Sequence, residues 1–265
     1  MRAYRILSCL VAVIVSLSLV NGCSRGPSEE ELKQAELAEQ FATITQLYET
    51  LTQTRADLAS AQSSLAEIEA LAERERSEEQ QAMMEELPAQ IEELTASQDA
   101  TFEEMQAELA EYLNVALNDF PDSPDTARAL GIYSEEAIIV AYDIVQKSGD
   151  YKKAIDHLAS AENLFEQSGL TTYQPLVDHI SKLDDWRYIT QERFDSVKKN
   201  MTKEEVKVLV GVPYYQNIKV DDKRGVEMWL YRKRGGGAAA ISFRTKTDKV
   251  YHMNFDAVKP QVADE

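Results

Sequence analysis

The sequence predicts an α+β protein: a long N-terminal helix or coiled coil, a helical-hairpin middle, and a C-terminal unit of two helices plus an antiparallel β-meander. Three observations predict this class. Only 10 Gly and 7 Pro punctuate 265 residues, 28% of which are charged, a composition that suits long helices better than a many-turned β architecture. From Ser28 to about Leu87 there is neither Gly nor Pro. After Asn200, short β-prone runs alternate with connections rich in turn residues.

Charge divides the chain in a similar way. The net charge is −18. Residues 23–185 hold 10 basic and 35 acidic side chains, a net of −25, whereas residues 186–265 hold 16 and 11, a net of +5. Surfaces of opposite sign predict different partners. The acidic excess argues against nucleic acid, because phosphate-binding surfaces need a surplus of Lys and Arg. Four segments result: 1–22, 23–88, 89–185 and 186–265.

The first segment reads as a secretory signal. Arg2 and Arg5 form a positive n-region, Ile6 to Val20 an apolar h-region, and small residues follow at Asn21 and Gly22. The apolar run is shorter than the roughly 20 residues of a membrane-spanning helix. "LVNGC" at 19–23 resembles the bacterial lipobox, with an aliphatic residue at −3, a small one at −1 and Cys at +1. That resemblance implies cleavage before Cys23 and acylation of its thiol and amine, palmitate included. A plain signal leaving a free thiol is the alternative. Cys9 would leave with the signal, so no internal disulfide is expected. His157, His179 and His252 are scattered without ligand spacing, so no metal or other cofactor is expected either. Several acyl chains hold a membrane far more firmly than one. Ser24, rather than Asp, follows the cysteine, which by the same resemblance implies the periplasmic face of the outer membrane.

The second segment carries Leu37, Phe41, Ile44, Tyr48, Leu51 and Leu58 at heptad a/d steps, and Leu65, Ile68 and Ala72 continue the stripe with a shifted phase. Arg55 and Gln62 interrupt the seam, and the stretch 73–81 is almost wholly polar. Three outcomes fit: a coiled coil joining copies of the chain into a homo-oligomer, an intramolecular hairpin broken near Pro88, or disorder.

In the third segment, Phe102, Met105, Leu109, Tyr112 and Ala116 mark a helix stopped by "NDFPDSP" (118–124). A helix over 124–147, a turn at Ser148-Gly149-Asp150, and a helix over 151–167 follow. "GDYKKAIDHLASAENLF" resembles a tetratricopeptide repeat, with Ala154, Leu158 and Ala161 at the small–bulky–small packing spacing. Tyr142 and Glu166 depart from that pattern, and an ordinary helical hairpin is the alternative.

The fourth segment opens with Thr202 and Glu205, a capping-box pair. Val206, Leu209 and Val210 form an apolar face, Gly211 suits a left-handed C-terminus, and Pro213 prevents continuation. Strands are predicted at Tyr214–Val220, Val226–Arg232, Ala238–Arg244 and Val250–Asp256. Alternation puts Trp229, Tyr231, Ile241, Phe243, Tyr251, Met253 and Phe255 on one face, and Met228, Leu230, Ala240 and His252 on the other. Asn200-Met201-Thr202, Val206, Leu209-Val210-Gly211-Val212-Pro213, Trp229-Leu230-Tyr231 and Ile241-Ser242-Phe243 resemble the SmpA/OmlA family, over about residues 194–256. That family includes the small E lipoprotein of the β-barrel assembly machinery. Asn200 stands where the family has Gly, and Asn is the next-best residue for a left-handed backbone.

No nucleophile elbow or other catalytic signature occurs, and the triple glycine 235–237 lies between two strands as a hairpin loop. The reading is therefore a non-enzymatic outer-membrane lipoprotein, a scaffold or assembly factor binding envelope proteins. The resemblance implies barrel-assembly subunits as partners; an envelope-integrity role fits too. A periplasmic enzyme inhibitor, like the related folds of β-lactamase-inhibitor proteins, is the rival reading. Met228 and Leu230, rimmed by Arg232, Lys233 and Arg234, form the candidate partner-binding surface, unless the N-terminal helices fold back over it.

Overall fold

A computed structural model describes residues 27–260; the signal segment and Cys23 lie outside the described residues. Among the described residues about 68% are helical, nearly all in seven α-helices, and a four-stranded antiparallel sheet stands at the C-terminal end.

Helix α1 (Glu29–Ala70) starts at a Ser28/Glu31 capping box, with three glutamates in its positive first turn. Helix α2 (Glu78–Asp119) returns alongside it, and Lys33 near the start of α1 is paired with Asp119 at the end of α2. The reversal falls at residues 71–77 and not near Pro88, which lies inside α2. Local chemistry explains the site. Ser77 and Gln80 form a second capping box, and the Arg76 guanidinium donates to the carbonyls of Ile68 (3.1 Å), Glu69 (3.3 Å) and Leu71 (2.9 Å) at the end of α1, where carbonyls run short of helical partners; Ile68 also accepts from the Leu71 amide. Pro88 is tolerated because it lies on an exposed face of α2, where water can reach the carbonyl it frees.

The predicted stripe Leu37, Phe41, Ile44, Leu51 and Leu58 is buried. Its first part packs against Met105, Leu109, Tyr112 and Ala116 of α2 and into a bundle with α3 (Pro124–Ser148), α4 (Tyr151–Gln167) and α5 (Gln174–Trp186). Ser123 caps α3 ahead of Pro124, and Gly149 ends it at φ +64°. Ala154, Leu158 and Ala161 are fully buried in that bundle. Small side chains at the first and third positions let helices approach closely around the leucine.

Two short helices, α6 (Gln191–Ser196) and α7 (Lys203–Val210), precede the meander β1 (Ile218–Asp221), β2 (Val226–Arg232), β3 (Ala238–Arg244) and β4 (Lys249–Val258). Asn200 adopts φ +70°, and its amide donates to the Val250 carbonyl at 2.8 Å. Gly211 has φ +88° but ψ 174°, outside the left-handed helical well that the sequence suggests, and only glycine occupies that region easily. Trp229 pairs with Ile241 and Met228 with Ser242 across β2 and β3. A register shift between Ser242 and Phe243 brings Val250, not Tyr251, opposite Phe243. Val250 therefore joins Trp229, Tyr231, Ile241 and Phe243 in the core over α6 and α7, while Tyr251 lies beside the Arg244 guanidinium at 4.1 Å.

Candidate binding surface

The sheet of the C-terminal unit has one closed face and one open one. On the closed face Trp229 is 2% exposed, lies tilted against Phe243 with ring centroids 4.4 Å apart and donates its indole N–H to Glu227 at 2.6 Å. On the other face Met228 and Leu230 are half-buried and His252 is exposed. Ala238, Ala240 and Ser242 are buried down the middle of β3, because small side chains there sit below the longer ones of the flanking strands. The bulk of α1 and α2 packing goes to each other and to α3.

The predicted basic rim is only partly free. Lys233 is bonded to Asp256 at 2.6 Å, and Arg234 to Asp184 at 2.8 Å and Asp185 at 3.3 Å. Both cations are thus neutralised within the chain, and among the described residues Arg232 alone of the three has no ion pair. Sequence reasoning missed this because the acidic partners of Arg234 lie about 50 residues away.

It also missed how the sheet is held to the helices. Gly149, at the turn between α3 and α4, lies so close to Pro213 that a Cβ would overlap the proline carbonyl. The Tyr151 hydroxyl accepts from the Val212 amide at 3.1 Å, and the Tyr231 hydroxyl donates to the Gly211 carbonyl at 3.1 Å. Burial pushes the phenol of Tyr231 well above the usual tyrosine range. Burial also raises Tyr151, with the Val212 amide pulling the other way. Both phenols therefore stay neutral and keep these bonds through ordinary pH. From the other side, the Ile189 amide donates to the Arg232 carbonyl at 2.8 Å, only three residues after α5 ends. Gly149 and Pro213 were visible as a turn and a helix stop, but only the tertiary structure makes them neighbours.

A third polar centre joins the hairpin to the bundle. Arg55 reaches the fully buried Glu136 of α3 through two bonds, at 2.7 and 2.8 Å. The hydroxyls of Tyr48 and Tyr173 both donate to the adjacent Glu135, the second at 3.0 Å. Burial, helped by Glu135, pushes the Tyr48 phenol up to about 12.

Among the described residues, no group of three or more His, Cys, Asp or Glu side chains is placed to hold a metal, and no helix is long and apolar enough to cross a membrane. No family model, curated protein or solved structure matches the chain.

Proposed function

We propose that this chain is a lipid-anchored outer-membrane protein that serves as a non-catalytic scaffold or assembly factor for envelope proteins. One observation carries the reading. The small cluster of Ala61, Ile68 and Leu87, with Leu65, Met83, Met84, Ile91 and Leu94, is built from α1 and α2 alone. Each helix has 42 residues, or about 63 Å at 1.5 Å per residue. The far part of the hairpin is thus an arm stabilised by its own seam, with acidic side chains on its outside. An arm of this kind offers surface for a partner without enclosing a reaction site. The tetratricopeptide-like residues Ala154, Leu158 and Ala161 and the SmpA/OmlA-like motifs of the C-terminal unit support the same class, since both resemble interaction modules. The α1 seam is used within the chain, so a homo-oligomer would have to form through other surfaces.

The anchor comes from the lipobox-like residues at 19–23. Cys23→Ser is expected to yield an unprocessed or soluble protein, because the acyl chains supply most of the membrane affinity. Normal outer-membrane fractionation of that variant would remove the anchor from the reading. Purification of the tagged chain from solubilised membranes is expected to recover barrel-assembly subunits. Replacing Met228 and Leu230 with Ser should reduce that recovery and leave the fold intact, because neither side chain is in the closed core. Recovery of a single hydrolase instead would support the inhibitor-like alternative.

A further inference from the structure

We propose that the cleft between the helical bundle and the sheet binds a small carboxylic acid with a flat apolar body. This inference goes beyond the scaffold reading and does not depend on it.

The cleft holds a half-open cavity of about 190 Å³ beside the Gly149–Pro213 contact. Trp186, Tyr214, Tyr231 and Leu230 line it, with the guanidinium-bearing Arg187 and Arg232. In a chain of net charge −18, the remaining charged side chains of its wall are Lys152 and Asp150, so cations outnumber anions there three to one. Two of the four are already engaged. Asp150 accepts from the Lys153 amide at 3.0 Å, and Lys152 pairs with Asp156 on its own helix at 2.5 Å. Among the described residues neither Arg187 nor Arg232 has a carboxylate partner, and Arg187 rests 5.3 Å from the Tyr188 ring. A guanidinium fork matches a carboxylate in two-point geometry and is more weakly hydrated than an ammonium, so it meets such a group with little loss.

The rest of the wall defines the ligand's body. The hydroxyls of Tyr151 and Tyr231 are committed to the Gly211–Val212 backbone, so these two residues offer their rings, beside Trp186 and Leu230, with Asn217 and Tyr214 as the neutral polar side chains of the wall. An apolar cavity near 150 Å³ is enough for benzene, so about 190 Å³ accommodates one ring and a carboxyl group. An inorganic anion would satisfy the arginines and leave the rings without a partner. Pockets between structural units, mostly apolar and carrying a few convergent polar groups, are where small ligands bind.

The test uses the full chain in detergent micelles, titrated with 3-phenylpropionate. Trp186 lines the cavity while Trp229 is buried in the core, so the indole N–H resonance of Trp186 should shift and that of Trp229 should not. 3-Phenylpropionamide, which lacks the charge, and inorganic phosphate, which lacks the ring, should each bind at least about tenfold more weakly, a difference that one arginine–carboxylate interaction supplies. Arg187→Gln with Arg232→Gln should cost 3-phenylpropionate a similar factor while the circular dichroism is unchanged. Arg187→Lys with Arg232→Lys should fall between the two. Equal binding of the amide, equal binding of phosphate, an unaltered affinity in the glutamine variant, or no shift of Trp186 up to about 10 mM ligand, the weak end of affinities a small site supplies, would each overturn the proposal.

Discussion

The near and far halves of the α1–α2 hairpin use the same two helices and the same kind of apolar stripe, yet they are built to different depths. In the near half Ile44, Leu51 and Met105 are fully buried, and α3 closes over them. In the far half Ala61, Ile68 and Leu87 keep 5–6% exposure each, and their packing partners on either side are only half-buried. A two-helix layer buries one stripe per helix, whereas a bundle shields the stripe from a second direction. Periodicity alone therefore does not set stability; the third helix does.

The contrast is broken most directly at its boundary. Arg55→Ala leaves the Glu136 carboxylate, 1% exposed, without its bidentate partner, and should cost about 3–5 kcal/mol in denaturant unfolding. A double replacement of Arg55 and Glu136 by Leu should recover most of that loss. A single Arg55→Ala with unchanged stability would mean that the near half does not depend on this pair.

A smaller effect separates the two cores. Leu51→Ala should cost about 3–4 kcal/mol and Leu87→Ala about 2 kcal/mol, since the thin layer around Leu87 can relax into the space. Amide exchange should follow the same order, with the amides of 60–95 opening below the global unfolding free energy. Equal costs at both positions would show that the halves unfold as one.

The smallest effect shows itself in how stability depends on alkaline pH. Tyr48 has its phenol raised to about 12 in the folded chain against about 10 when exposed. The folded state thus favours the protonated phenol. Its contribution is complete below pH 10 and is lost as pH rises through 12. Tyr48→Phe should therefore cost about 1 kcal/mol at pH 7, through loss of the hydroxyl bond to Glu135, and flatten the fall in stability between pH 10 and 12. An identical alkaline profile in the variant would assign that fall to other phenols, Tyr231 first.

Parts of this molecule were legible because they rest on local chemistry. Strands Val226–Arg232 and Ala238–Arg244 have the bounds that their alternation and turn residues predict, and Thr202 caps α7 as its spacing to Glu205 requires. The hairpin turn was misplaced because Pro88 is the more familiar breaker. The Arg76-Ser77-x-x-Gln80 sequence, which caps both helices, lay in plain view within the polar stretch 73–81. Arg55 reads as a flaw in the seam until Glu136 is found opposite it, 81 residues on. The β4 bulge exchanged Tyr251 for Val250 in the core, because a single extra residue reverses a period of two. In the candidate surface, Met228 and Leu230 alternate with the buried Trp229 and Tyr231 as the strand period requires, but the pairing of Lys233 and Arg234 depends on acids brought in by the fold. The cavity beside them was invisible for the same reason, since its walls come from four separate elements.

The contact of Gly149 with Pro213 also determines how a pull on this molecule would travel. A flexible tether between α5 and the sheet would absorb the first few ångströms of extension and let the sheet swivel. Here backbone meets backbone, two tyrosine hydroxyls clasp the adjoining Gly211 and Val212, and α5 runs into the sheet within three residues. Tension applied to the helices would therefore arrive at β2 almost undamped, like torque through a keyed shaft. The orientation of the sheet follows that of the bundle because a single carbon is missing at residue 149.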